Sequence, residues 1–117
     1  MPVPVPRPLS DGSTVYARTT SIGASPVAGN TVAIEKGRIQ RVFVFSEGAS
    51  TGTITITVAI NGVTAGTVVF TGGANARAVV EFAPSGEVEV VEGDLITFTP
   101  SGGGGATIPG HFYAIIR

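Results

Sequence analysis

Between Thr53 and Ile60 the chain reads TITITVAI, and this segment restricts the fold more than any other. Ile54, Ile56, Val58 and Ile60 fall on one side of an extended strand, and Thr53, Thr55, Thr57 and Ala59 on the other. That is the period-two alternation of a sheet with one face in a core. Asn61-Gly62 follows at once, and the pair suits a two-residue type I′ turn, whose central residues both need φ > 0. A returning strand is expected from Val63 through Thr67 to Phe70, with Ala65-Gly66 marking a bulge.

The rest of the chain repeats the theme. Val, Ile and Thr supply 40 of 117 residues and Leu only two, a bias toward side chains that suit a pleated surface. The 17 Gly and 8 Pro punctuate short apolar runs, so the chain reads as strands and turns rather than as disorder. Strands are expected from Val15, over Thr31 to Glu35, through the Lys36-Gly37 turn into Arg38 to Phe45, and over Arg77 to Phe82. Glu87 to Val91 is followed by the Glu92-Gly93 turn, then by Asp94 to Thr99, a glycine loop from Ser101 to Gly105, and a last strand from His111 to Ile116. Eight or nine strands at this spacing predict an all-β, antiparallel sandwich or barrel.

At 11.8 kDa the chain is long enough for one domain with a core of its own. Seven basic and eight acidic side chains leave a net charge of -1, with no basic field to hold phosphate backbone or anionic lipid, so neither nucleic acid nor membrane is an expected partner. The sequence has no run of 18 or so apolar residues and no basic-then-apolar leader, so a soluble protein made without a signal peptide is expected. Cysteine is absent, which removes disulfides and thiolate chemistry.

The first nine residues read MPVPVPRPL. Proline has no N–H to give a central sheet and presets φ, so residues 1–14 are expected to form an extended arm and residues 15–117 a single domain. Pro2, Val3, Pro4, Val5, Pro6, Arg7, Pro8 and Leu9 are its candidate binding residues, held against the parent domain, a neighbouring subunit or a larger shell. The Val42-Phe43-Val44-Phe45 run and the strand from His111 to Ile116 are apolar on both faces. An antiparallel strand with one solvated face should not read so: either a segment such as the N-terminal arm covers the second face or another subunit does, and the subunit contact is the favoured expectation.

The residues offer little for chemistry. Glu87, Glu89, Glu92 and Asp94 could be oxygen ligands, but they lack the spacing of a Ca²⁺ loop and read as a solvated strand and turn. His111 has no Gly-x-Ser-x-Gly or comparable motif beside it and reads as a rim or interface residue. The run Gly102 to Gly105 lacks the Lys-Ser/Thr ending of a phosphate loop. Arg38, Arg41 and Arg77 are weak interface candidates, and Tyr16 and Tyr113 are the only amphipathic rings for sugar stacking. No catalytic, metal or cofactor site is expected.

From Thr53 onward the strings TITITVAINGVTAGTVVF, VEVVEGDLITFTPSG and HFYAIIR resemble small jelly-roll domains of tailed-phage virion proteins. The shared pattern is a Thr-rich strand ending in Ile-Asn-Gly-Val, a hairpin return, a Val-x-x-Gly-Asp-x-Ile strand entry and an apolar last strand. Asn61, Gly62, Gly93 and Asp94 are its turn-forming residues. Such modules, similar in shape to the tumour-necrosis-factor and C1q heads, occur in capsid decoration proteins, head fibres and fibre tips, commonly as trimers. The resemblance implies a jelly roll of about eight strands and a non-enzymatic homotrimer on the capsid surface of the virion, bound to the major capsid protein. Val42, Phe43, Val44, Phe45, Phe112, Tyr113 and Ile115 would line its three-fold axis. The alternative it implies is a receptor- or glycan-binding module at a fibre tip, using loops near Gly72 to Asn75 and Ser101 to Ala106. A small hydrolase is a distant third reading, because no nucleophile, base and orienting group can be assembled from these residues.

Overall fold

The computed structural model describes residues 13–48, 50–71, 77–81 and 88–117, with residues 50, 70, 71 and 77–81 described by their backbone only. The Pro2 to Leu9 arm, Glu87 and the loop from Gly72 to Asn75 lie outside the described residues. Among the described residues the strands follow in chain order: β1 (Ser13–Thr19), β2 (Gly29–Val32), β3 (Gly37–Ser46), β4 (Ser50–Thr51), β5 (Thr53–Ile60), β6 (Val63–Thr71), β7 (Arg77–Glu81), β8 (Val88–Val90), β9 (Leu95–Ser101), β10 (Gly104–Gly105) and β11 (Gly110–Ile116). There is no helix among the described residues.

Every pairing among these strands is antiparallel. One sheet runs β1-β11-β3-β7, with β8 also on β3, and the other runs β2-β9-β5-β6. The first strand pairs with the last, β2 with β9, β3 with β7, and the two middle strands β5 and β6 with each other. A long hairpin rolled on itself in this way is a jelly roll, and the sandwich expected from the strand spacing is the observed architecture.

The alternating residues decide what lies between the layers. Ile54, Ile56 and Val58 of β5 face Val42, Val44, Phe112, Ala114 and Ile116 of the other sheet, and all are at most 1% exposed. Phe98 and Phe112 stack across the middle with ring centroids 4.9 Å apart and planes 9° apart. Burying these side chains contributes on the order of 25 cal/mol per Å² of apolar surface removed from water.

The β5–β6 hairpin follows the sequence reading closely. Asn61 and Gly62 take φ of 50° and 86°, and the register shifts between Val58 and Ala59 so that Ala65 is the extra residue. Elsewhere the boundaries move. β1 begins at Ser13, two residues before the strand start expected at Val15. The glycine loop is not a bare tip: Gly104-Gly105 pairs with Ser50-Thr51, and a Cβ on Gly103 would meet Ile54 at 2.9 Å. It is packed against the sandwich.

One group of expected interface residues is corrected. Val42, Val44 and Phe112 are 0%, 1% and 0% exposed and belong to the subunit's own core, so they line no outer surface. Their strands look apolar on both faces because one face packs inward. Only Phe43, Phe45, Tyr113 and Ile115 of that group point away from the core; β11 keeps the period-two rule throughout, and β3 keeps it from Val42 onward, after a register shift at Gln40 sets the buried Ile39 and Val42 three residues apart.

Candidate functional site

The outer face of the β1-β11-β3-β7 sheet is ordered by its register. Tyr16 lies opposite Tyr113, Tyr113 opposite Phe43, and Phe43 opposite Val79. The aromatic side chains of Tyr16, Tyr113 and Phe43 therefore form a single row across the sheet at right angles to the strands. Tyr16, Tyr113 and Phe43 are 44%, 38% and 36% exposed, unusual for three adjacent rings. The row on one side reads Arg18, His111 and Phe45, and the row on the other Thr14, Ile115 and Arg41.

A hydrogen-bond chain fixes this patch. The Nε2–H of His111 donates to the Glu47 carboxylate at 2.7 Å, which leaves Nδ1 to accept the Tyr16 hydroxyl. His111 also stacks on Tyr16 and Phe45, at centroid distances of 5.7 and 5.8 Å. Tyr16 in turn meets Tyr113 at 5.1 Å. Both imidazole nitrogens are engaged and the ring sits between Tyr16 and Phe45, so the arrangement holds the aromatic surface in one shape. No sequence motif announces it, because Tyr16, Glu47 and His111 meet only once β1, β3 and β11 are in register.

The four turn residues form a second constellation, at the opposite end of the sandwich. The Asn61 side-chain amide donates to Asp94 Oδ1 at 3.0 Å, and its carbonyl accepts the Leu95 N–H at 2.9 Å. The Val91 N–H donates to Asp94 Oδ2 at 2.9 Å. The Val91 amide and then the Asn61 amide hold the Asp94 carboxyl below its ordinary value of 3.8. Gly93, at φ 92°, lets the turn close, and its N–H donates to Ala33 at 2.8 Å. Val32, Ile34, Val63, Val91 and Leu95 are exposed around this junction.

The remaining candidates disperse. Glu89 pairs with Arg38 at 3.2 Å and Asp94 is committed to the turn, while Glu92 is exposed on it. No group of three or more His, Cys, Asp or Glu suited to a metal occurs among the described residues. A pocket of about 300 Å³ near the start of β3 is lined by Lys36, Arg38 and Arg117 with Glu89 among them. No helix among the described residues is long and apolar enough to cross a membrane, a statement that does not bear on β-barrels.

The chain matches no protein-family model, and no curated protein matches it.

Proposed function

We propose that this protein is a non-enzymatic binding module that self-associates as a homotrimer through the outer face of the β1-β11-β3-β7 sheet and decorates a phage capsid by binding its coat subunits. The observation that carries the reading is the exposed row of Tyr16, Tyr113 and Phe43, locked by the His111–Glu47 pair. Water is a poor neighbour for such a row. Covering three rings of this size removes on the order of 100 Å² each from solvent, enough at ~25 cal/mol/Å² to offset part of the cost of association. A pre-ordered surface loses less side-chain freedom on binding than a loose one. The virion setting draws on the resemblance of the Thr53 to Phe70, Val88 to Gly102 and His111 to Arg117 strings to phage jelly rolls, and the jelly-roll winding is consistent with it. Pro2 to Leu9 is tethered a few residues ahead of Thr14 and Tyr16, within reach of the same surface.

The test combines mass and attachment. Sedimentation equilibrium should give three times 11.8 kDa for the native chain and a monomer for Phe43→Glu. The native chain should co-sediment with empty capsids of its own phage and Phe43→Glu should not. A native monomer at high concentration, or selective binding to cell-surface glycan with none to capsids, overturns the reading.

A further inference from the structure

The open edge of β1 and the alternating prolines of the arm have matching frames. Arg38 and Arg117 exchange backbone bonds of 2.7 and 3.0 Å, and the Glu47 N–H donates to Pro109 at 3.1 Å. Odd-numbered residues of β11 and its flanks therefore turn their backbone groups toward β3, and even-numbered ones toward β1. The register from Ser13↔Ile116 to Thr19↔Gly110 then gives the odd-numbered residues of β1 to β11. What remains on the outer edge is the N–H and C=O of Thr14, Tyr16 and Arg18. β1 has no second hydrogen-bonded neighbour among the described strands, β2 approaching it only at its far end where Gly29 lies beside the Arg18 carbonyl, and no backbone bond from the described residues outside the ladders reaches these three. Such an edge invites strand addition.

The arm is one-sided in the same sense. Pro2, Pro4, Pro6 and Pro8 lack an N–H, whereas Val3, Val5, Arg7 and Leu9 have one. In an extended strand residues two apart point to the same neighbour, so one edge of the arm carries every donor and the other carries none. We propose that the arm adds to the open edge of β1 in its own chain as the final strand of that sheet. Leu9 would pair with Thr14, Arg7 with Tyr16 and Val5 with Arg18, closing a four-residue loop over Ser10 to Ser13 that contains Ser-Asp-Gly turn chemistry. This frame sets Arg7 against the exposed Tyr16 ring, a favourable cation–π arrangement. The proline edge faces outward and cannot template another strand, so the arm both supplies the missing partner and ends the sheet. The proposal concerns one subunit and does not require the trimer.

Amide hydrogen exchange in the Phe43→Glu chain, made monomeric on the assembly reading and checked at two concentrations, tests it without depending on capsid or partner. Thr14, Tyr16 and Arg18 should exchange at least about tenfold faster when residues 1–9 are removed, while Val15 and Ala17, bonded to β11, keep their rates. Val5→Pro and Arg7→Pro should reproduce the acceleration, and Pro4→Ala and Pro6→Ala should leave the protection in place. Equal rates with and without the arm overturn the proposal. So does protection that vanishes on dilution, which would mean exchange of arms between copies, and so does Pro6→Ala acting like Arg7→Pro.

Discussion

Asn61 takes a left-handed backbone conformation, at φ 50°, and still commits both ends of its amide to the β8–β9 turn. Replacement by Ala removes those bonds and leaves a side chain with no local hydrogen bond where the turn needs φ > 0. Asn61→Ala should cost about 2 kcal/mol, and Asn61→Gly, which keeps the backbone freedom, distinctly less; urea unfolding midpoints of the two variants decide this. Asp94 adds a pH signature. Its carboxyl is held below the ordinary value by the Val91 N–H first and the Asn61 amide second, so its contribution is fully present above the unfolded carboxylate pKa and is lost as pH falls through the lower folded one. Asp94→Asn should therefore weaken the protein at neutral pH and narrow the stability difference between pH 7 and pH 3, measured by thermal unfolding. An unchanged difference would show that Asp94 does not carry it. Asn61-Gly62 and Gly93-Asp94 are legible in the sequence as two turns. That they bind each other is not, because 33 residues separate Asn61 from Asp94 and only the β5–β9 register brings them together.

Strand by strand, the alternation of apolar and polar residues carries most of the fold. TITITVAI is observed at its expected limits, and β3, β6, β9 and β11 fall within a few residues of theirs. The failures have a common cause. A run such as Val42 to Phe45 is read as needing cover on both sides, yet half of that need is met by the subunit's own second sheet, which no local pattern reveals. Short bridges such as β4 and β10 are missed because they depend on a partner far along the chain rather than on propensity. Glycines separate into two kinds by the same logic. Gly62 has open space around the position a Cβ would take, but sits at φ 86°, and should lose about 1 kcal/mol on conversion to Ala from backbone strain alone. At Gly110 the added Cβ would meet Ile22 Cδ1 at 2.8 Å and its Cβ at 3.0 Å, between the end of β1 and the core. Gly110→Ala should cost more, about 1–3 kcal/mol, because Ile22 is fully buried and has little room to yield. Chemical unfolding that ranks Gly62→Ala as the worse of the two would contradict this packing.

For the whole molecule, the two ends and one broad face of the sandwich are unequal. One end is bound by the Asn61–Asp94 junction, and the β1-β11-β3-β7 face bears aromatic rings in place of the Thr-rich outer face of β5. If the aromatic face joins copies, folding and assembly are linked, and anything that binds only the folded subunit raises its apparent stability with concentration. The melting temperature of the native chain should then climb by several degrees over a hundredfold increase in protein, while that of Phe43→Glu stays fixed. Phe43 is outward-facing, so its replacement by Glu leaves the core untouched and the monomer should still unfold cooperatively. Removing residues 1–9 acts on a different part of this balance: it should leave a folded domain, because the described core is complete from Val15 onward, but lower capsid co-sedimentation. A native melting temperature independent of concentration would separate the rings from assembly, and they would then have to be explained by contacts within one chain.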